Sequence, residues 1–273
     1  MAGICYPIAK YGLGHIEPFT FAFYRFILAS VFLLVLTRLK KNDRPVERHD
    51  WPRIVLLAVL IIPLNQTLFL VGQALTGAGH GAFIFSTTPI WIFLLAFIHL
   101  GERMKLRRLF GFVIATAGVM AIMMSGAVQI GQEYLIGDLI IMVSVIAWAY
   151  YTVVGKDLVR KYGALRMTAY ALSIGSAIYF PFGLYHAIQF DYSRSTLAAW
   201  GSVVYMAIGL SVVVYVLWYW LLKYMDASRM AVYHNIQPII ATAVAVSFLG
   251  ETLSLWYVVG GTAVIAGVLV TEV

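Results

Sequence analysis

The sequence predicts an all-α membrane protein of ten transmembrane helices, arranged as two inverted five-helix repeats, with the first helix shortened at its start. Three observations predict it. The chain of 273 residues is 62% hydrophobic and only 11% charged, whereas a soluble domain has about 45–50% apolar and about 25% charged residues. Apolar runs of membrane-spanning length alternate with short basic loops. The second half of the chain repeats the first at a fixed offset. A water-soluble fold of this size has too little polar surface to cover such a composition, so lipid is its solvent.

A bilayer core needs about 20 apolar residues per helix, within a range of roughly 17–25. Nine runs meet that length, at 18–37, 52–71, 82–100, 109–127, 138–155, 168–188, 199–222, 231–249 and 255–271. A tenth, Ala2 to Leu13, is too short to cross alone. It reads as the outer part of a first span whose beginning lies upstream of Met1, or as a half-helix that stops inside the protein. It lacks the basic start and cleavage site of a secretory signal.

Charge placement orients the spans. Arg38, Lys40, Lys41, Arg44, Arg48 and Arg53 follow the second span, counting the short segment as the first. Arg103, Lys105, Arg107 and Arg108 follow the fourth, and Lys156, Arg160, Lys161 and Arg166 the sixth. Lys223 and Arg229 follow the eighth. Of the 19 basic residues, the opposite loops hold only Arg194, while Lys10 and Arg25 lie inside spans. Basic loops stay on the cytoplasmic side, so both termini are expected there, in a bacterial inner membrane. The same placement explains the net charge of +7 without a nucleic-acid-binding face. Cys5 is the one cysteine, so no internal disulfide can form. No metal-ligand spacing or phosphate-binding glycine loop occurs. No metal, cofactor or direct ATP coupling is expected.

Shifting the chain by 149 residues lays Ala82–Val119 over Ala231–Val268 without a gap. Twelve of the 38 positions are identical, among them Pro89/Pro238, Gly101/Gly250, Glu102/Glu251, Gly111/Gly260 and Gly118/Gly267; chance in so skewed a composition gives about a tenth. The halves, 1–127 and 137–272, each hold five spans. An odd number forces the second copy to lie upside down. The charges agree: Arg103, Lys105, Arg107 and Arg108 become Thr252, Ser254, Trp256 and Tyr257. The basic residues vanish where inversion places the loop outside, and aromatic residues replace them. Inverted repeats recur in secondary transporters, with the substrate site between the copies near the midplane.

The segments LFLVGQALTGAGHGAFIFSTTPIWIFLLAFIHLGERM and YMDASRMAVYHNIQPIIATAVAVSFLGE resemble the two signature regions of the drug/metabolite transporter superfamily, EamA type. Both carry a proline within the span and a Gly-Glu ending. The resemblance covers essentially the whole chain. It implies a ten-helix bundle around a central cavity, with the fifth and tenth helices peripheral. It also implies transport of amino acids, other small metabolites or drugs, often outward. The missing start of the first helix departs from the pattern and puts one cavity wall in doubt.

Several polar residues fall at membrane depth, where they are costly and usually face a bundle interior. Pro89 and Pro238 sit at mirrored positions. Each removes a helical hydrogen bond and releases the carbonyl four residues earlier, at Phe85 and His234. They mark either kinks beside a substrate path that permit rocking, or packing bends. His234 and Gln237 share a helical face, so His234 could bind substrate or carry a proton, or be a neutral histidine satisfied by a backbone carbonyl. Asn65 and Gln66 follow Pro63 and could coordinate a polar substrate or join helices. Arg25 lies about 10 Å into its span at helical rise. It could receive a substrate carboxylate in a bidentate fork, snorkel outward, or pair with Glu17. Trp148 and Tyr151, with Ser144 and Gly155, line one face of the sixth span. Tyr215 and Trp218, with Ser211, line one face of the eighth. Both stripes suit an amphipathic solute, or packing against neighbours. Glu102 and Glu251 each follow a helix-ending glycine and open the next helix, a structural role that suits the helix dipole. Gly111, Ala115, Gly118, Gly260, Ala263 and Gly267 allow close helix contact, within the chain or at an oligomer surface.

The expected function is alternating-access transport of a small metabolite, amino acids first, moved outward through a central cavity by a monomer or homodimer. No Asp or Glu falls near the centre of a span. That leaves a facilitator or exchanger, or proton coupling through His234. The runner-up is a multidrug exporter of lipophilic cations, which an acidic cavity would favour. A lipid-modifying membrane enzyme would need clustered titratable side chains at one interface, and His15, His49, His80, His99 and His186 look scattered in the sequence.

Overall fold

A computed structural model of the chain describes residue 8 and residues 11–39, 45–75, 84–85, 87–102, 106–124, 135–233 and 255–272. Among these, the regular elements are all helical. Five helices are long and apolar enough to cross a membrane: Pro18–Leu39, Arg48–Gly72, Leu135–Tyr162, Ala164–Gln189 and Leu197–Tyr224. Thr88–Leu100, Leu109–Gly118 and Val258–Val270 are shorter apolar helical stretches. The expected spans at 18–37, 138–155, 168–188 and 199–222 lie inside these helices. The span expected at 231–249 is described only in its first turns, and His234, Gln237 and Pro238 lie outside the described residues.

The elements are α1 (Pro18–Leu39), α2 (Trp51–Val59), a π-helical segment π1 (Leu60–Thr67) and α3 (Leu68–Leu75). Then come α4 (Thr88–Leu100), α5 (Leu106–Met124), α6 (Leu135–Tyr162) and α7 (Ala164–Gln189). A second interrupted span follows as α8 (Leu197–Tyr205), π2 (Met206–Val214) and α9 (Tyr215–Tyr224). The last described elements are α10 (Ala227–Val232) and α11 (Leu255–Glu272). Two compact units emerge, each taking segments from both sequence halves: Met1–Leu70 with Val154–Tyr224, and Val71–Val153 with Met225–Val273.

In the first unit, α1 runs antiparallel to α7. Phe19 meets Phe182 edge-on at 5.2 Å, Phe23 meets Phe180 at 5.5 Å, and Phe26 meets Tyr179 at 6.4 Å. Such aromatic pairs add about 0.5–1.5 kcal/mol each beyond area burial. The other side of α1 is apolar and outward-facing, with Val31 55% and Val35 52% exposed. A helix apolar on every face is built for a lipid surround. Pro63 explains π1. A proline has no N–H and its ring presses on the carbonyl four residues back; the wider π turn relieves that clash. The Thr67 hydroxyl donates to the Ile62 carbonyl, five residues back, at 3.1 Å.

In the second unit, α5 packs along α11. A Cβ on Gly118 would strike the Gly260 carbonyl and the Val264 nitrogen. A Cβ on Gly267 would strike the Gly111 carbonyl and the Ala115 nitrogen. Adding 149 to Gly111, Ala115 and Gly118 gives Gly260, Val264 and Gly267, so each contact recurs with the helices exchanged. These glycines therefore join two helices of one chain, and the expectation of an oligomer surface is corrected on that point.

Pro89 differs from its expected place in mid-helix. It occupies the first turn of α4, where a missing N–H has no partner to lose. The Phe85 carbonyl receives the Thr88 hydroxyl at 2.5 Å, and the Ile84 carbonyl that of Thr87 at 2.6 Å. At the other end of α4, Gly101 adopts φ 61°, the left-handed conformation that glycine enters without steric cost. The Glu102 N–H then bonds the Ala96 carbonyl at 3.3 Å, closing the helix. The Glu102 carboxylate does not serve the following helix, as its position in the sequence suggests. It accepts the Ala227 and Ser228 N–H groups at 3.0 and 3.1 Å and the Ser228 hydroxyl at 2.6 Å, at the start of α10.

Candidate functional site

The first unit buries a guanidinium. Arg25, seven residues into α1, is 7% exposed. Its Nε donates to the Ser211 hydroxyl of π2 at 3.0 Å and its Nη1 to Gln66 Oε1 of π1 at 3.3 Å. Its Cζ also lies 4.9 Å from the Phe26 ring centre. Each partner is held in turn. The Ser211 hydroxyl donates to the Met206 carbonyl, five residues back in the π turn, at 3.3 Å. Gln66 Nε2 donates to Asn65 Oδ1 at 2.5 Å, and Asn65 is 1% exposed. Arg25 therefore points inward between two π segments and neither snorkels nor pairs with Glu17, which corrects both of those alternatives. π segments cluster at functional sites because they break the regular ladder and re-aim side chains.

The structure thus brings Arg25, Asn65 and Gln66 together. It stacks Trp148 on Tyr151, centroids 5.6 Å apart, in the second unit; the two are 7% and 1% exposed. Tyr215 is buried and Trp218 half-buried on α9 in the first unit. Tyr219, their neighbour, is fully buried, its phenol against Gly155. Ser211 is the site residue that sequence reasoning missed: it was assigned to an aromatic stripe rather than to Arg25. A hydroxyl inside an otherwise apolar run was the available signal.

Glu17 pairs instead with His186, Oε1 to Nδ1 at 2.8 Å, and accepts the Thr20 hydroxyl at 2.9 Å. Together with His15 and Asp191 they line a cavity of about 500 Å³ at the end of α1 and α7 opposite Arg38 and Arg166. The histidines that look scattered in the sequence therefore include two that share a cavity. A second cluster joins the start of α2 to the end of α6. Asp50, 3% exposed, accepts Lys161 Nζ at 2.8 Å and the Tyr162 hydroxyl at 2.6 Å, and Lys161 also reaches Glu47 at 2.7 Å. Glu47, His49 and Asp50 have the donor types of a metal site, but the Lys161 ammonium already sits between the two carboxylates.

A buried polar core inside apolar helices of membrane-crossing length defines an integral membrane protein with a polar path through it. A family model of EamA-like transporters matches residues 1–124 and again residues 135–273. The chain belongs to the EamA-like transporter family, within the drug/metabolite transporter superfamily. An uncharacterised transporter of Archaeoglobus fulgidus is 30% identical, over 96% of this chain and 90% of its own length. The uncharacterised transporter YyaM of Bacillus subtilis is 27% identical over 98% and 88%. A probable terminal-alkyne amino-acid exporter of Streptantibioticus cattleyicolor is 26% identical over 97% and 87%. One solved crystal structure superposes with a TM-score of 0.85 at 18% identity, covering 100% of this chain and 95% of that one, a likeness of fold.

Proposed function

We propose that this transporter moves amino acids or related carboxylate-bearing solutes outward across a bacterial inner membrane. The observation that carries the proposal is the buried Arg25 guanidinium, held among α1, π1 and π2 by neutral side chains. A guanidinium offers five N–H donors in a rigid fork that matches a carboxylate. The amino-acid exporter among the relatives adds support.

Alternating access by two inverted five-helix halves supplies the mechanism. It is supported by the exchange of equivalent contacts between α5 and α11 and by the two matches of the family model. In an inverted repeat, a rearrangement of one half in one direction has a mirror counterpart in the other, so the two access states have similar energies. The basic loops place both termini in the cytoplasm. Pro89 and Pro238 as gating kinks, His234 and Gln237 as substrate or proton ligands, and the Trp148, Tyr151, Tyr215 and Trp218 stripes as cavity walls belong to the same proposal. The ten-helix count and the halves 1–127 and 137–272 do too.

The runner-up, export of organic cations, also has an observation in its favour. Two carboxylates, Glu17 and Asp191, line the cavity of about 500 Å³, and no Lys or Arg does. Counterflow separates the two. Purified protein in liposomes loaded with a mixed amino-acid pool should accumulate a labelled amino acid. Accumulation of a labelled quaternary ammonium alone would overturn the amino-acid proposal. Counterflow that ignores imposed pH gradients would remove proton coupling through His234.

A further inference from the structure

The two hydrogen bonds on Arg25 are unequal. The bond from Nε to Ser211 measures 3.0 Å, at the centre of the N–H···O range, whereas the bond from Nη1 to Gln66 measures 3.3 Å, just beyond its long end. Ser211 is fully buried and its own proton is committed to the Met206 carbonyl. It can accept from Arg25 only by staying where it is. Gln66 is half-buried, and its amide has a second, shorter bond to Asn65. If Gln66 lets go of the guanidinium, the Asn65 bond remains to hold it.

From this asymmetry we infer that Gln66 is a neutral placeholder on Arg25, displaced by the substrate carboxylate, and that Ser211 is the positioning residue that fixes the guanidinium meanwhile. The inference rests on the proposed transport of carboxylate-bearing solutes and names what selects them. An amide oxygen offers a neutral acceptor. A carboxylate offers a charge-assisted one, shorter and roughly twice as strong. The exchange therefore runs toward the carboxylate and leaves no buried donor unsatisfied in either state. The guanidinium cannot simply wait with bare donors, since burying an unbonded charged donor is more costly than any single hydrogen bond gained. A neutral acceptor in its place keeps the empty protein stable without competing hard for the site. The choice of glutamine follows: a glutamate there would match the charge and close the site against anions.

The test uses the purified full chain in liposomes, comparing an amino acid with its decarboxylated amine. Losing a charge-assisted bond of about 1.5–3 kcal/mol corresponds to about tenfold or more in affinity. Glu at position 66 supplies an internal carboxylate, so Gln66→Glu should raise KM for the amino acid by about tenfold or more, with no rise for the amine. Gln66→Leu, which removes the placeholder, should not raise the amino-acid KM. Ser211→Ala should raise it, and Ser211→Thr should restore it. Detergent melting temperatures report whether each variant is folded; should Gln66→Glu fail to fold, the Leu and Ser211 variants carry the test. An unchanged ratio of amino-acid to amine KM in Gln66→Glu, or a rise in Gln66→Leu equal to that of Ser211→Ala, overturns the inference while the transport proposal stands. Wild-type protein that moves no amino acid overturns both.

Discussion

Glu102 and Arg25 show how little of a charged residue's role is local. Both carboxylate and guanidinium were visible as anomalies in an apolar sequence, yet their partners lie more than a hundred residues away. Glu102 caps α10 through three hydrogen bonds at Ala227 and Ser228. Its removal leaves two helix-start N–H groups without their acceptor. We expect Glu102→Ala to lower stability by about 1–2 kcal/mol, the usual scale of a lost helix cap. Glu102→Gln, which can keep one acceptor, should lose less. Thermal melting in detergent measures both. Uptake by the melted-and-refolded fraction should be unaffected, because Glu102 holds a helix start and touches no substrate in this account.

Helices interrupted by π turns are the elements that bring polar groups into the membrane. π1 forms where Pro63 denies the regular ladder, and it presents Gln66 toward Arg25; π2 presents Ser211 from the opposite element. Pro89 illustrates the contrary case, a proline that starts a helix instead of distorting one. Two substitutions separate its roles. Pro89→Ala restores an N–H at a position that needs none. If Pro89 only starts α4, uptake should stay within about twofold, since a change at the helix start alters propensity by well under a turn's worth of contacts. A larger loss would favour the gating role. Thr88→Val removes the hydroxyl bonded to the Phe85 carbonyl at 2.5 Å and should cost about 1 kcal/mol of stability, again by melting temperature. Proline positions are plain in any sequence. Whether a given proline begins, widens or bends a helix depends on where the preceding helix has ended, and for Pro89 that was settled by Thr87 and Thr88.

The whole molecule packs its membrane helices through small residues where water offers no hydrophobic drive between them. The α5–α11 contact makes a sharp prediction. Gly118→Ala and Gly267→Ala should each destabilise the protein, and by similar amounts, because each Cβ would strike equivalent backbone atoms of the opposite helix. Gly261→Ala, with nothing within 4 Å of the new Cβ, should be neutral or stabilise by up to about 1 kcal/mol through helix propensity. Melting temperatures of the three variants decide it. Unequal effects at Gly118 and Gly267 would count against the duplicated, inverted arrangement.

Periodicity and composition were enough to establish a helical membrane protein, the approximate spans, the basic loops and the repeat at 149 residues. These depend on sums over many residues, and the cost of placing a peptide or charge in lipid is large enough to leave a mark in the one-dimensional order. The pairing of Arg25 with Gln66 and Ser211, of Glu17 with His186, and of Glu102 with α10 came from the folded chain alone. Each is a contact between residues distant in sequence, worth a few kcal/mol at most, and a single polar residue in an apolar run looks the same whether it snorkels, joins helices or holds a ligand. Antiparallel packing of α1 on α7 and the widening at π1 and π2 chose among those fates, because only they determine which polar atoms lie within hydrogen-bonding distance once lipid has excluded water.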